Sequence, residues 1–385
     1  MISIITNIAG NSKIRRIRAF FGDLIKIFIG AVFCQNPLTA PLVMGWISHY
    51  MRIKSVQVWV KESSLEKPSD FYETKGAEYS PKLPNWFRLN NAENGKKKSR
   101  LLSILRKYLG SIWTNYKMGL KAFFSVWLLS IPFCLIWLLM WWAGGDMAYN
   151  NSYEEIYFAP IASLISVFLF AFLMMFLPIA QARQALHQDW TSLFDFKTIA
   201  IIIRYARIRL FFMALIFTAM SFGIVLGTKM IPTFFEDVYA IDVSNSDGLR
   251  EIVKQHYMRV ALLFFMALLI LKRMSARIYA FALLGAVRAH ALKPEQLTAL
   301  ENELLFKKLN HTIEDQPQRA SILSPELPKS VRGFLQCLNN TCFFLMTLAV
   351  WVVFVFSIYV GQFFNIHMLD WLNHPLIHMP YIRVP

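Results

Sequence analysis

The chain has 385 residues, 56% of them apolar, 15% aromatic and only 17% charged. A soluble domain carries about 25% charged residues and fewer aromatics, so composition argues against an ordinary soluble domain. The formal net charge of +16 raises nucleic acid as a partner, but its placement argues against one. Arg52 to Lys117 holds fourteen Lys or Arg against six Asp or Glu, whereas Ala143 to Glu155 holds no basic residue and carries Asp146, Glu154 and Glu155. Segregation by loop is the positive-inside pattern of a membrane protein, and no nucleic-acid-binding motif accompanies the charge.

The pattern predicts an all-α integral membrane protein with about five transmembrane helices, an N-terminal re-entrant or interfacial hairpin and several amphipathic interfacial helices. Residues 1–19 form a basic tail (Lys13, Arg15, Arg16, Arg18) with no secretory signal peptide expected. Residues 20–52 are apolar but broken at Gln35-Asn36-Pro37 and punctuated by Pro41 and Gly45. Each arm is too short for the roughly 20 residues a bilayer crossing needs, and both ends are basic. A hairpin that dips in and returns fits this; two thin spanning helices are the alternative. Asp23 and Lys26 lie three apart, at the spacing of a local helical ion pair.

Residues 53–117 read as a cytosolic basic loop ending in an amphipathic helix. Lys96, Lys97, Lys98 and Arg100 lead into Leu101–Tyr116, where Leu101, Leu105, Leu109, Ile112 and Tyr116 oppose Arg106 and Lys107. That is the pattern of a basic helix in the headgroup plane, each cation contributing about 1 kcal/mol at an anionic surface. Across 118–287 four spans are expected at Met118–Trp142, Ile156–Ala180, Leu210–Ile231 and His256–Leu271. Interfacial helices are expected around Phe196–Ala206 and Ile278–Val287, with Lys272, Arg273 and Arg277 extending to the inner headgroups between them; the alternative is one long span from His256 to Val287, which would set these cations near the midplane in need of carboxylate partners. A cytosolic segment at 288–341 contains a further amphipathic helix begun by Pro294, a fifth span covers 342–364, and an extracytoplasmic tail covers 365–385. Loop charges then place the N-terminus in the cytosol and the C-terminus outside a bacterial inner membrane.

The early pattern Asp23-Leu24-Ile25-Lys26-Ile27-Phe28-Ile29-Gly30, the exit through Gly45-Trp46 and Arg52, the span leaving through Ala180-Gln181-Ala182-Arg183, and Phe194-Asp195-Phe196 resemble a large, functionally uncharacterised family of bacterial multi-span membrane proteins. The resemblance covers about residues 20–290, with an enlarged loop at Lys54–Lys117 as a departure. It implies the architecture and carries no activity, cofactor or catalytic residue.

No phosphate-binding, nucleophile-elbow, zinc-protease or dinucleotide motif occurs in the sequence. The expected spans hold almost no ionisable residue, which argues against a pump. Cys34, Cys134, Cys337 and Cys342 show no paired spacing. His367, His374 and His378 share the tail with Asp370, but Pro375 and Pro380 interrupt the segment; neither a metal site nor any cofactor is expected. Candidate lipid-headgroup or partner contacts are Lys96, Lys97, Lys98, Arg100, Arg106, Lys107, Lys272, Arg273 and Arg277, and the hairpin break is placed at Pro37, Pro41 and Gly45. The reading is a non-catalytic accessory or scaffold subunit contacting anionic lipid on the cytosolic leaflet and other membrane proteins. A carrier or flippase of a lipidic substrate, gated by the hairpin, is the alternative, and a membrane-embedded enzyme a third.

Overall fold

The computed structural model describes residues 21–34, 36, 38–63, 65, 71, 72, 79, 84, 100–145, 158–225, 246–309 and 329–363. Within these the protein is all helical: α1 (21–33), α2 (Ala40–Lys61), α3 (Arg100–Gly145), α4 (Phe158–His187), α5 (Phe196–Val225), α6 (Ser246–Arg288), the short α7 (Ala299–Asn302) and α8 (Lys329–Phe363). Two stretches among the described residues, Leu164–His187 and Gly333–Val355, are long and apolar enough to cross a bilayer.

Contacts along the helices give their directions. Ser166 donates to the carbonyl of Phe133 at 2.8 Å and Gln184 to Ser125 at 2.6 Å, so α3 and α4 are antiparallel. Met213 meets Ser275 at 3.5 Å and Arg209 lies over the ring of Phe281 at 4.4 Å, so α5 and α6 are antiparallel. Phe211 with Phe343, and Phe217 with Phe354, advance together and make α5 and α8 parallel.

The helices run longer than hydropathy suggests. Leu101–Tyr116 is not a separate helix in a headgroup plane; it continues without a break into the apolar stretch as the single 46-residue α3. Phe196–Ala206 is likewise the first third of α5. The fourth span and Ile278–Val287 form one 43-residue helix, α6. No Pro or Gly interrupts residues 265–284, so the i→i−4 ladder passes straight through Lys272, Arg273 and Arg277. Hydropathy falls at such points, but the reason to stay helical does not.

What these extensions bury is α2. It runs well past the expected end of the hairpin and is buried along most of its length, against α3, α4 and α6. Ser55 donates to the carbonyl of Ala276 at 3.1 Å and Trp59 Nε1 to that of Ala280 at 3.0 Å, fixing α2 parallel to α6. Gly45 is therefore a mid-helix residue and breaks nothing. A Cβ on Gly45 would collide with the backbone carbonyl of Asn115, and one on Gly119 with that of Pro41, so these two glycines let α2 and α3 cross backbone to backbone. Pro41 sits in the first turn of α2, where its missing N–H costs no helical bond. Pro37 lies outside the described residues; the turn beside it is held by Thr39 Oγ1 donating to the carbonyl of Phe33 at 2.5 Å. Asp23 and Lys26 do pair, at 3.1 Å.

The basic loop also reaches this end of the bundle. Tyr79 is buried and accepts from Arg52 at 2.8 Å, while Trp46 Nε1 donates to the carbonyl of Pro84 at 2.9 Å.

Candidate functional site

The last turns of α4 bring Gln181, Arg183, Gln184 and His187 out of an otherwise apolar helix. After α4, Gln188 adopts a left-handed backbone (φ 61°), which stops the helix and turns the chain into Thr191–Leu193 and then α5. Asp195 sits at the start of α5, where its carboxylate accepts from the amide of Thr198 at 3.3 Å. Beyond α6 the chain makes a 3₁₀ turn (Pro294–Gln296) and enters α7 through a reciprocal cap. Thr298 Oγ1 accepts from the amide of Glu301 at 3.3 Å, and the amide of Thr298 donates to Glu301 Oε2 at 2.8 Å.

The cap aims the other oxygen of Glu301 at Arg183. Arg183 Nε lies 3.3 Å from Glu301 Oε1, and its Nη1 lies 2.6 Å from Asp195 Oδ2. His187 Nε2 is 3.3 Å from the same Glu301 oxygen and 2.9 Å from Thr298 Oγ1. Tyr279 of α6 donates its hydroxyl to Glu301. Arg183 is 1% exposed and Glu301 fully buried, so the charges compensate each other away from water. Burial alone would raise the Glu301 carboxyl. The hydrogen bond from His187, the Arg183 charge and the Tyr279 hydroxyl outweigh it and bring the group down to about 2. For Asp195, burial again pushes up, but the bonds from Thr198 and Arg183 hold it below its ordinary value.

This network ties α4, α5, α6 and α7 together at one end of the bundle. Its members satisfy one another, and its chemistry is that of a structural clasp: one cation shared by two carboxylates, one carboxylate ringed by donors. Nearby, buried Lys272 donates to Gln181.

The residues expected to contact headgroups separate into three sets. Arg273 and Arg277 are exposed on α6. Lys272 is buried and bonded to Gln181, so it does not reach out with its neighbours. Arg100, Arg106 and Lys107 belong to α3, their side chains outside the described residues, as are Lys96, Lys97 and Lys98 altogether. His367, His374 and His378 also lie outside them, and among the described residues no three His, Cys, Asp or Glu cluster as metal ligands.

Sequence reasoning missed the network because its members are distant in the chain. Two signals were readable: Thr298-x-x-Glu301 is a capping-box pattern, and Arg183 at the foot of a long apolar run needs a counter-charge.

A groove of about 500 Å³ opens between α4, α5 and α8, with Arg204 and Arg207 at one end and Leu210, Phe344 and Trp351 further along. Comparison of the chain with protein-family models, curated proteins and solved structures finds no match.

Proposed function

We propose that this chain is a multi-span membrane protein, with α3, α4, α5, α6 and α8 crossing the bilayer, that works without catalysis as an accessory or scaffold subunit contacting anionic lipid and protein partners. The observation that carries the five crossings is the apolar surface left exposed on each of them: Trp127 on α3, Phe168 on α4, Phe212 on α5, Leu263 on α6 and Leu345 on α8, each with apolar neighbours. In water a contiguous apolar patch above a few hundred Å² is an interaction or aggregation surface; against hydrocarbon it is the ordinary exterior.

The antiparallel directions of α3 with α4 and of α5 with α6 fit alternating crossings, with the buried polar network on the side of the basic loops. By the positive-inside pattern that side is the cytosol of a bacterial cell, and residues 365–385 lie outside it. The non-catalytic reading rests on the network itself. Arg183, His187, Tyr279 and Glu301 are committed to one another, which leaves no poised acid–base pair among them.

Purification from membranes in mild detergent tests this reading. A partner at fixed stoichiometry is expected, lost when residues 365–385 are deleted or 85–98 are shortened. The groove between α4, α5 and α8 favours a second reading, a carrier of lipid. Reconstituted vesicles in which the chain speeds transbilayer movement of labelled lipid, with no partner retained, overturn the scaffold in its favour.

A further inference from the structure

We propose that the groove between α4, α5 and α8 holds one anionic phospholipid, its phosphate on Arg204 and Arg207 and its acyl chain along Leu210, Phe344 and Trp351. The inference rests on the membrane reading above and goes beyond it by assigning a discrete site.

The volume of about 500 Å³ falls within the range of roughly 300–1,000 Å³ typical of small-molecule pockets. The groove's two ends differ in chemistry. Because α5 and α8 run parallel, Arg204 and Arg207 face the start of α8, near Gly333 and Asn340, while Leu210 faces the stretch from Phe343 to Trp351. A cationic, polar mouth continuing into an apolar aromatic trough matches a headgroup and its chain. A free inorganic anion has no use for the trough, and an apolar peptide has no use for the mouth.

The arginines are available to an anion. Arg204 is exposed and Arg207 half-buried, and neither enters an ion pair among the described residues. Arg207 Nε donates to the backbone carbonyl of Arg204 at 2.8 Å, which ties its stem to α5, and both arginines line the groove. Guanidiniums are suited to phosphate oxygens by their planar donor geometry. Basic pockets between transmembrane helices on the cytosolic side are where anionic headgroups bind. By the loop charges, this end of α5 is the cytosolic one.

The test uses the full chain in nanodiscs of phosphatidylcholine containing a minor fraction of phosphatidylglycerol, with retained lipid read by native mass spectrometry. The wild type is expected to keep one phosphatidylglycerol per chain. Arg204→Gln together with Arg207→Gln is expected to weaken retention roughly thirtyfold, from about a factor of five per arginine near an anionic surface. Gly333→Trp supplies a second arm. Gly333 lines the groove mouth and a Cβ there meets no atom within 4 Å, so the substitution adds bulk at the mouth without a clash at the backbone. It is expected to abolish retention with the unfolding midpoint unchanged.

Retention of phosphatidylglycerol by the arginine double variant overturns the site while leaving the membrane reading intact. Displacement of the lipid by inorganic phosphate at equal concentration overturns it too, by showing that the acyl chain contributes nothing. Failure of the wild type to insert in the nanodisc overturns both.

Discussion

The two halves of α4 are built from opposite materials. Its early turns point Ile161, Leu164, Ile165 and Phe168 outward, while its last turns bury Arg183, Gln184 and Leu186 and half-bury Gln181. The same contrast runs through α5 and α6. Phe222, Leu263 and Phe264 are exposed, whereas Ile199, Ala206, Tyr279 and Leu283 are buried. The end that carries the network holds polar groups inside, and the exterior away from it is apolar. In a single solvent these arrangements conflict. They agree if one half sits in hydrocarbon and the other in water or headgroups, because each is then turned toward the surroundings that suit its exterior.

Removing the clasp separates the halves most sharply. Glu301→Leu takes away the partner of Arg183, His187 and Tyr279 and leaves a buried cation with Asp195 alone. It is expected to destabilise the protein by about 3–5 kcal/mol, measured as denaturant unfolding in detergent. Gly119→Leu attacks the α2–α3 crossing, where even a Cβ meets the Pro41 carbonyl and the Gly45 amide nitrogen, the latter at 2.8 Å. It is expected to cost about 1–3 kcal/mol or to shift α2 bodily, measurable as a lower unfolding midpoint. The same substitution at Gly223, where a Cβ meets nothing within 4 Å, is expected to be nearly silent.

Acid gives a graded effect. The folded Glu301 carboxyl ionises near 2 and its ordinary value is 4.5. Between these values the unfolded chain binds more protons, so stability rises with pH there. The contribution is complete above about pH 4.5 and is lost as pH falls toward 2. Glu301→Gln is expected to remove that part of the slope, read as the difference between wild-type and variant unfolding across pH 2–5. The smallest effect belongs to the helix stop. Gln188 holds φ 61°, so Gln188→Gly is expected to stabilise by about 0.5–1 kcal/mol, read as a raised midpoint.

Much of the bundle is legible in the sequence. The centres of the five expected spans fall within α3, α4, α5, α6 and α8. What hydropathy does not report is where a helix ends, because cations on an outward face, such as Arg273 and Arg277, lower the apolar score without breaking the backbone. The buried role of α2 is hidden for a related reason. Arg52 and Lys54 read as the edge of a membrane segment, yet each lies on a helix whose other faces carry Trp46, Val56 and Trp59 into the core. The clasp is a matter of tertiary geometry. Arg183, Asp195, Tyr279 and Glu301 span over a hundred positions in the chain, and only the Thr298–Glu301 cap is local enough to be read in advance. The helix break near Asn36 is the converse case, since Gln35-Asn36-Pro37 announces it directly.

The central claim is that apolar side chains exposed on the long helices face lipid. Single cysteines at Phe168, Phe222 and Arg277, in a chain whose own Cys34, Cys134, Cys337 and Cys342 are replaced by serine, test it through labelling of membranes with a water-soluble maleimide. All three positions are exposed in the structure. Rapid labelling is expected at position 277, with positions 168 and 222 modified only after solubilisation in denaturing detergent. Equal labelling at all three in intact membranes would contradict it, because the apolar faces would then lie in water.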